Sequence, residues 1–147
     1  MTDQLKNNLS ALHLKAMAQH LDAAFSQSEE KNLSFSATLL HLTELELERR
    51  WQSAVKLRWE QSRLPEKLSI DQFDFHHHKS RKEQKNHIVN LLNLAFVKEH
   101  MDVIFIGNPG TGKTFLAKCI GLAACNANIK VLFTSAMDIQ PAYRSRG

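Results

Sequence analysis

Asp102-Val103-Ile104-Phe105-Ile106-Gly107-Asn108-Pro109-Gly110-Thr111-Gly112-Lys113-Thr114 is the stretch that decides the fold. Asp102 opens a short run of four apolar, β-rich residues, as in a buried strand. The next eight, Gly107 to Thr114, satisfy G-x-x-x-x-G-K-[ST] at every fixed position. The apolar residues after Lys113 continue to about Asn126 as a helix. Strand, glycine loop and helix in that order form the P-loop unit. Glycine at positions 107, 110 and 112 is expected to let the backbone take φ > 0 and turn successive N–H groups inward around an anion. The start of the following helix adds roughly +0.5 charge of dipole at the same point. The motif therefore points to a nucleoside triphosphate, ATP, with Mg²⁺ as its counterion. Gly107, Asn108, Pro109, Gly110, Thr111, Gly112, Lys113, Thr114 and Phe115 are the candidate cofactor-binding residues. Lys113 is expected on the β and γ phosphates, and the Thr114 hydroxyl on Mg²⁺.

Downstream, Lys130 to Thr134 reads as a second buried strand, and Ser135 to Asp138 as an S-x-x-[DE] helix start. Hydrolysis needs an acid at the end of another strand and a group that orients water. After Thr114 no run of four apolar residues is followed by Asp. Asp138 is the one acid there, and it fits helix capping, so no catalytic residue is assigned. Turnover by this chain alone is expected to be negligible.

Upstream the pattern is helical. Leu5, Leu9, Leu12, Ala16, Met17, Leu21, Ala24 and Phe25 make one apolar stripe, predicting a single helix from about Asp3 to Gln27. A second helix is predicted from Ser34 or Phe35 to Arg63, with Phe35, Leu39, Leu42, Leu47, Trp51, Val55 and Trp59 as its stripe. Glu46 and Arg50 form a favourable i,i+4 pair within it, and Leu64-Pro65 ends it. Residues 66–79 show no sustained period and read as a connector. A third helix is predicted from Ser80 to Phe96, with Ser80 and Glu83 as its capping box. The expected organisation is thus a helical domain over residues 1–65, the connector, and a P-loop domain over residues 80–147.

The 147 residues carry a net charge of +4, distributed unevenly. Residues 1–48 sum to −4, and residues 49–85 to +5. Arg49, Lys56 and Arg63 recur every seven residues and share a helical face. With Arg81, Lys82 and Lys85, near Lys79, they suit a phosphate-tracking DNA surface; a solvated basic face is the other reading. Trp51 and Trp59 suit helix packing better than base stacking. His76-His77-His78 lacks companions at metal-ligand spacing and reads as loop. Cys119 and Cys125 fall on different faces of one helix and read as reduced core thiols. No apolar run approaches the roughly 18 residues of a membrane span, and no secretion signal opens the chain, so the cytoplasm is expected.

Leu14-Lys15-Ala16-Met17, Leu33-Ser34-Phe35, Glu48-Arg49-Arg50-Trp51, Phe73-Asp74-Phe75, Gly107 to Ala117 and Val131 to Asp138 occur in an order that resembles the IstB-like ATP-binding proteins. These are helpers of insertion-sequence transposition, related to DnaC-type helicase loaders. The resemblance covers about residues 5 to 140. It implies an α/β fold: a helical N-terminal domain followed by the first βαβ part of an AAA+ core, incomplete at the C-terminus. It further implies ATP-dependent self-assembly as a homo-oligomer, DNA handling and a transposase partner. It also puts the Phe73–Phe75 connector near the base. Phe115 stands where the family usually has His. Members continue for roughly another hundred residues with Walker B, a sensor and an arginine finger, so the chain reads as truncated. Marginal stability and exposed apolar surface are expected over residues 102–147. A helicase loader, or a remnant whose helical module alone acts as an interaction domain, are the alternative functions.

Overall fold

The computed structural model describes residues 1–139. The chain divides into two compact units, Met1–Ala54 and Val55 onward, parting within a long helix. The helices with defined bounds are α1 (Thr2–Ala11), α2 (Lys15–Lys31), α3 (Phe35–Gln61), α4 (Lys79–Glu83), α5 (Lys85–Leu91), α6 (Ala95–Lys98) and α7 (Lys113–Asn126).

The first stripe is not one helix. His13 takes φ 60°, its N–H bonds Ser10 O at 3.0 Å, and Leu14 N–H bonds Leu9 O at 2.8 Å. This pair of bonds is the Schellman arrangement, which closes α1 and folds α2 back on it. The apolar period runs unbroken through the turn because both helices bury the same stripe. Leu9, Met17, Leu21 and Ala24 cluster with Leu42 of α3, and Leu14 packs beside them. The same double bond, with Asn32 left-handed, ends α2 four residues later than expected.

α3 starts as anticipated, with Ser34 Oγ accepting from Ala37 N–H at 3.2 Å. Only Thr38, Leu42 and Glu46 of α3 are buried. Trp51, expected in a packed stripe, is 49% exposed. Arg63 takes φ 58° beyond the helix end, so the shared face of the sevenfold spacing holds for Arg49 and Lys56 and not for Arg63.

In the second unit the connector is more ordered than its sequence suggested. Residues Ile70–Gln72 make a 3-10 turn capped by Ser69, whose N–H donates to Gln72 Oε1 at 3.0 Å. The expected Ser80–Glu83 box does not form, because the helix begins one residue earlier at Lys79 and Ser80 lies inside it. Glu83 pairs instead with Lys79 at 3.7 Å. The single helix expected over residues 80–96 is three short ones. Buried Leu94 adopts the left-handed region at φ 60°, and Asn93 Oδ1 accepts from Ala95 N–H at 2.8 Å, so the chain must turn there.

α7 has the bounds its sequence indicated. Gly121 faces Leu64, whose methyls lie 3.2 Å from where a Cβ would be. Both cysteines are free and buried, and burial pushes the Cys119 thiol up to about 11. The two expected strands are not formed: among the described residues no strand occurs, and residues 101–107 and 129–135 lack regular structure. β-propensity supplies half of a strand and a ladder partner the other half. Ile104 and Ile106 are 80% and 93% exposed, in keeping with the apolar surface expected here. Residues 136–139 are helical, with Ser135 Oγ accepting from Asp138 N–H at 3.3 Å, as the capping reading requires. Residues 140–147, where the sequence places Pro141, lie outside the described residues.

Candidate phosphate-binding site

Two of the three motif glycines have the left-handed backbone expected of them, and Gly107 does not. Gly110 and Gly112 take φ +80° and +94°, in the left-handed region that costs side-chain-bearing residues strain. Gly112 has a second constraint: a Cβ there would lie 2.6 Å from Phe73 Cε2 and 3.0 Å from an Arg81 nitrogen. Gly112 is also the N-cap of α7. The first-turn N–H groups of α7 therefore have no intrahelical acceptor and face the loop end with the positive pole of the helix.

Lys113 Nζ donates to Gly107 O and Asn108 O, both at 2.8 Å, and reaches Thr111 Oγ1 at 3.4 Å. Its ammonium thus lies across the loop it belongs to. Thr111 Oγ1 donates to Asn108 O at 2.9 Å, which braces the same bend. Thr114 is exposed at the start of α7. Phe115 turns inward, joining Phe105, Ile70 and Phe75 around the buried cluster of Phe73, Ile88 and Leu116. Its ring lies 5.4 Å from that of Phe73.

Two hollows flank the loop. One, of about 340 Å³, is lined by Phe73, Asp74, His77, Arg81, Gly112 and Phe115 among others. The other, of about 400 Å³, lies between α4, α5 and residues 103–106 and includes Thr111 and Lys113. Among the described residues no group of three or more His, Cys, Asp or Glu side chains is placed to hold a metal ion.

The basic residues named for DNA fare differently. Arg49 and Arg50 bind the buried Glu46 carboxylate at 2.6 and 3.0 Å. Lys56 is exposed, 3.9 Å from Glu60. Arg63, Lys82 and Lys85 are exposed, and the Lys85 ammonium stands 5.5 Å from the Phe75 ring centre. Arg81 is turned to the loop, where its guanidinium bonds Gly110 O at 3.1 Å and Thr111 O at 3.0 Å. No motif signalled that contact. The signal present in the sequence was weaker: an arginine shortly after Phe73-Asp74-Phe75, in a segment otherwise rich in lysine.

The family model described as IstB-like ATP binding protein matches residues 7–144. The chain belongs to the IstB-like ATP-binding proteins. It is 35% identical over 136 residues to the ATP-binding protein of insertion sequence IS232 from Bacillus thuringiensis subsp. berliner, covering 92% of this chain and 54% of that protein. A counterpart from insertion sequence IS5376 of Geobacillus stearothermophilus is 32% identical over 139 residues, 95% of this chain and 55% of that protein. One from insertion sequence IS21 of Pseudomonas aeruginosa is 32% identical over 130 residues, 88% and 48% respectively. This IstB-like chain spans about half the length of the curated relatives it matches. No helix among its described residues is long and apolar enough to cross a membrane.

Proposed function

We propose that this chain binds ATP with Mg²⁺ through Gly107 to Phe115, as part of a cytoplasmic helper of insertion-sequence transposition. The observation that carries the reading is the Lys113 ammonium lying across a loop with two left-handed glycines, at the positive end of α7. A triphosphate would take the place of the Gly107 and Asn108 carbonyls as acceptor for that ammonium. The fit is chemical as well as spatial: three ammonium donors, first-turn amides and the Thr114 hydroxyl are what a phosphate chain and its counterion need. Mg²⁺, when bound, neutralises charge on the β and γ phosphates, and Thr114 would hold it. Phe73 and Phe75 would stand nearest the base, and residues 102–106 and 130–134 would be strands once paired, giving the βαβ part of an AAA+ core. Domain limits at residues 65 and 80 belong to the same proposal.

DNA contact is proposed through the exposed cations Lys56, Arg63, Lys82 and Lys85, with Arg49 and Arg81 reaching phosphate only by giving up present partners. A transposase partner, assembly into a homo-oligomer and negligible ATP turnover by this chain alone complete the reading. Titration with ATP and Mg²⁺ tests its centre. Lys113→Ala is expected to weaken binding by about 100-fold, since one charge-assisted donor set is removed. Equal, negligible binding by both chains would sink the proposal.

A further inference from the structure

Arg81 lies on α4, outside the glycine motif, yet most of its hydrogen bonding is spent on the loop. Nε donates to Thr111 O at 3.0 Å, one terminal nitrogen to Gly110 O at 3.1 Å, and the other to Asp74 O at 3.0 Å. The guanidinium carbon stands 4.5 Å from the Phe73 ring centre, and that ring covers Gly112. All these acceptors are backbone carbonyls, so the positive charge is not cancelled by a carboxylate.

We propose that Arg81 is a positioning residue that aims the loop amides at the phosphates and ties the Phe73–Phe75 connector to the loop. The inference rests on reading that loop as the nucleotide site. In a trans peptide the C=O and N–H point in opposite directions. Holding Gly110 O and Thr111 O on the guanidinium side therefore turns the N–H groups of Thr111 and Gly112 away from it. Thr111 N–H accordingly points back into the bend, toward Asn108 O at 3.4 Å. Two successive carbonyls and a third from the connector need donors at fixed angles in one plane. A guanidinium has them; an ammonium on a flexible stem does not.

The test compares wild type, Arg81→Lys and Arg81→Ala as full chains. Amide order parameters are measured by NMR without nucleotide, and ATP affinity is measured with Mg²⁺. In both variants the Thr111 and Gly112 amides are expected to fall from about 0.8 to below about 0.6, while those of Cys119 to Asn126 stay near 0.85. ATP binding is expected to weaken by about tenfold in both. Wild-type order and affinity in Arg81→Lys would overturn the proposal, because charge alone would then suffice. Loss of order spread evenly along α7 would also overturn it, by making Arg81 a general packing residue. Failure of wild type to bind ATP would instead overturn the nucleotide reading itself, whatever the loop amides do.

Discussion

Two arginine-bearing sites of this molecule, at Glu46 and at the glycine loop, satisfy their guanidinium groups in opposite ways. In the first unit Arg49 and Arg50 close on Glu46, whose other oxygen accepts from Ala16 N–H at 2.7 Å. That carboxylate crosses from α3 to the start of α2, where it serves as the N-terminal cap that Leu14 cannot provide. Both guanidinium groups share one carboxylate oxygen, and the result is a staple between helices. In the second unit Arg81 meets only carbonyl oxygens, which are dipoles, so its charge is left over beside the loop. Guanidinium groups paired with a carboxylate suit a scaffold, and one held only by carbonyl dipoles on a glycine bend suits an anion. The motif residues Ala16 and Arg49–Arg50, far apart in sequence, meet at Glu46 for a structural reason.

The contrast can be broken most forcefully at Gly112. Gly112→Ala places a methyl 2.6 Å from the Phe73 ring at a φ of +94°, which should cost about 4 kcal/mol as backbone strain plus overpacking. Calorimetry should show nucleotide binding lost while the melting of the first unit is unchanged; coupled loss of both would mean the units are not separable. Next in size is Leu21→Ala. This side chain is 2% exposed at the centre of the helical cluster, and its truncation should cost about 3 kcal/mol in denaturant unfolding of the first unit.

Glu46→Ala follows at about 2 kcal/mol, since it strands Ala16 N–H and two guanidinium groups. Acid sharpens this one. The hydrogen bond from Arg49, then those from Arg50 and Ala16 N–H, hold the Glu46 carboxyl at about 2, against an ordinary 4.5, in spite of its burial. A depressed carboxyl stabilises the fold fully above its unfolded value, so the contribution should be intact above pH 4.5 and fade as pH falls toward 2. Far-UV circular dichroism should show that sag in wild type and not in Glu46→Ala. Smallest of all, Trp51→Ala should change stability by no more than about 0.5 kcal/mol, as fits a half-exposed side chain; a larger loss would restore the packing role its spacing suggested.

These sites also show where the sequence was and was not legible. The loop and α7 could be read because glycine, lysine and the apolar helix pattern are all local signals, and the bounds Lys113–Asn126 agree. The turn at His13 could not, because a Schellman turn built without glycine leaves the apolar period intact. Two S-x-x-[EQ] patterns compete near the loop, Ser69–Gln72 and Ser80–Glu83. Only the first caps, since the start of α4 was set one residue upstream.

Composition and spacing alone determined that a glycine-rich bend joins an apolar run to a helix, and that helices precede it. Those are properties of neighbours along the chain, set by backbone freedom and periodic burial. Tertiary structure decided that Glu46 caps a helix it does not belong to, and that Arg81 holds the loop rather than standing in solvent. It also decided that residues 102–106 and 130–134 are not strands. Each of those depends on which groups meet across long separations. Hydrogen-bond partners of that kind are chosen by packing, which no local pattern encodes.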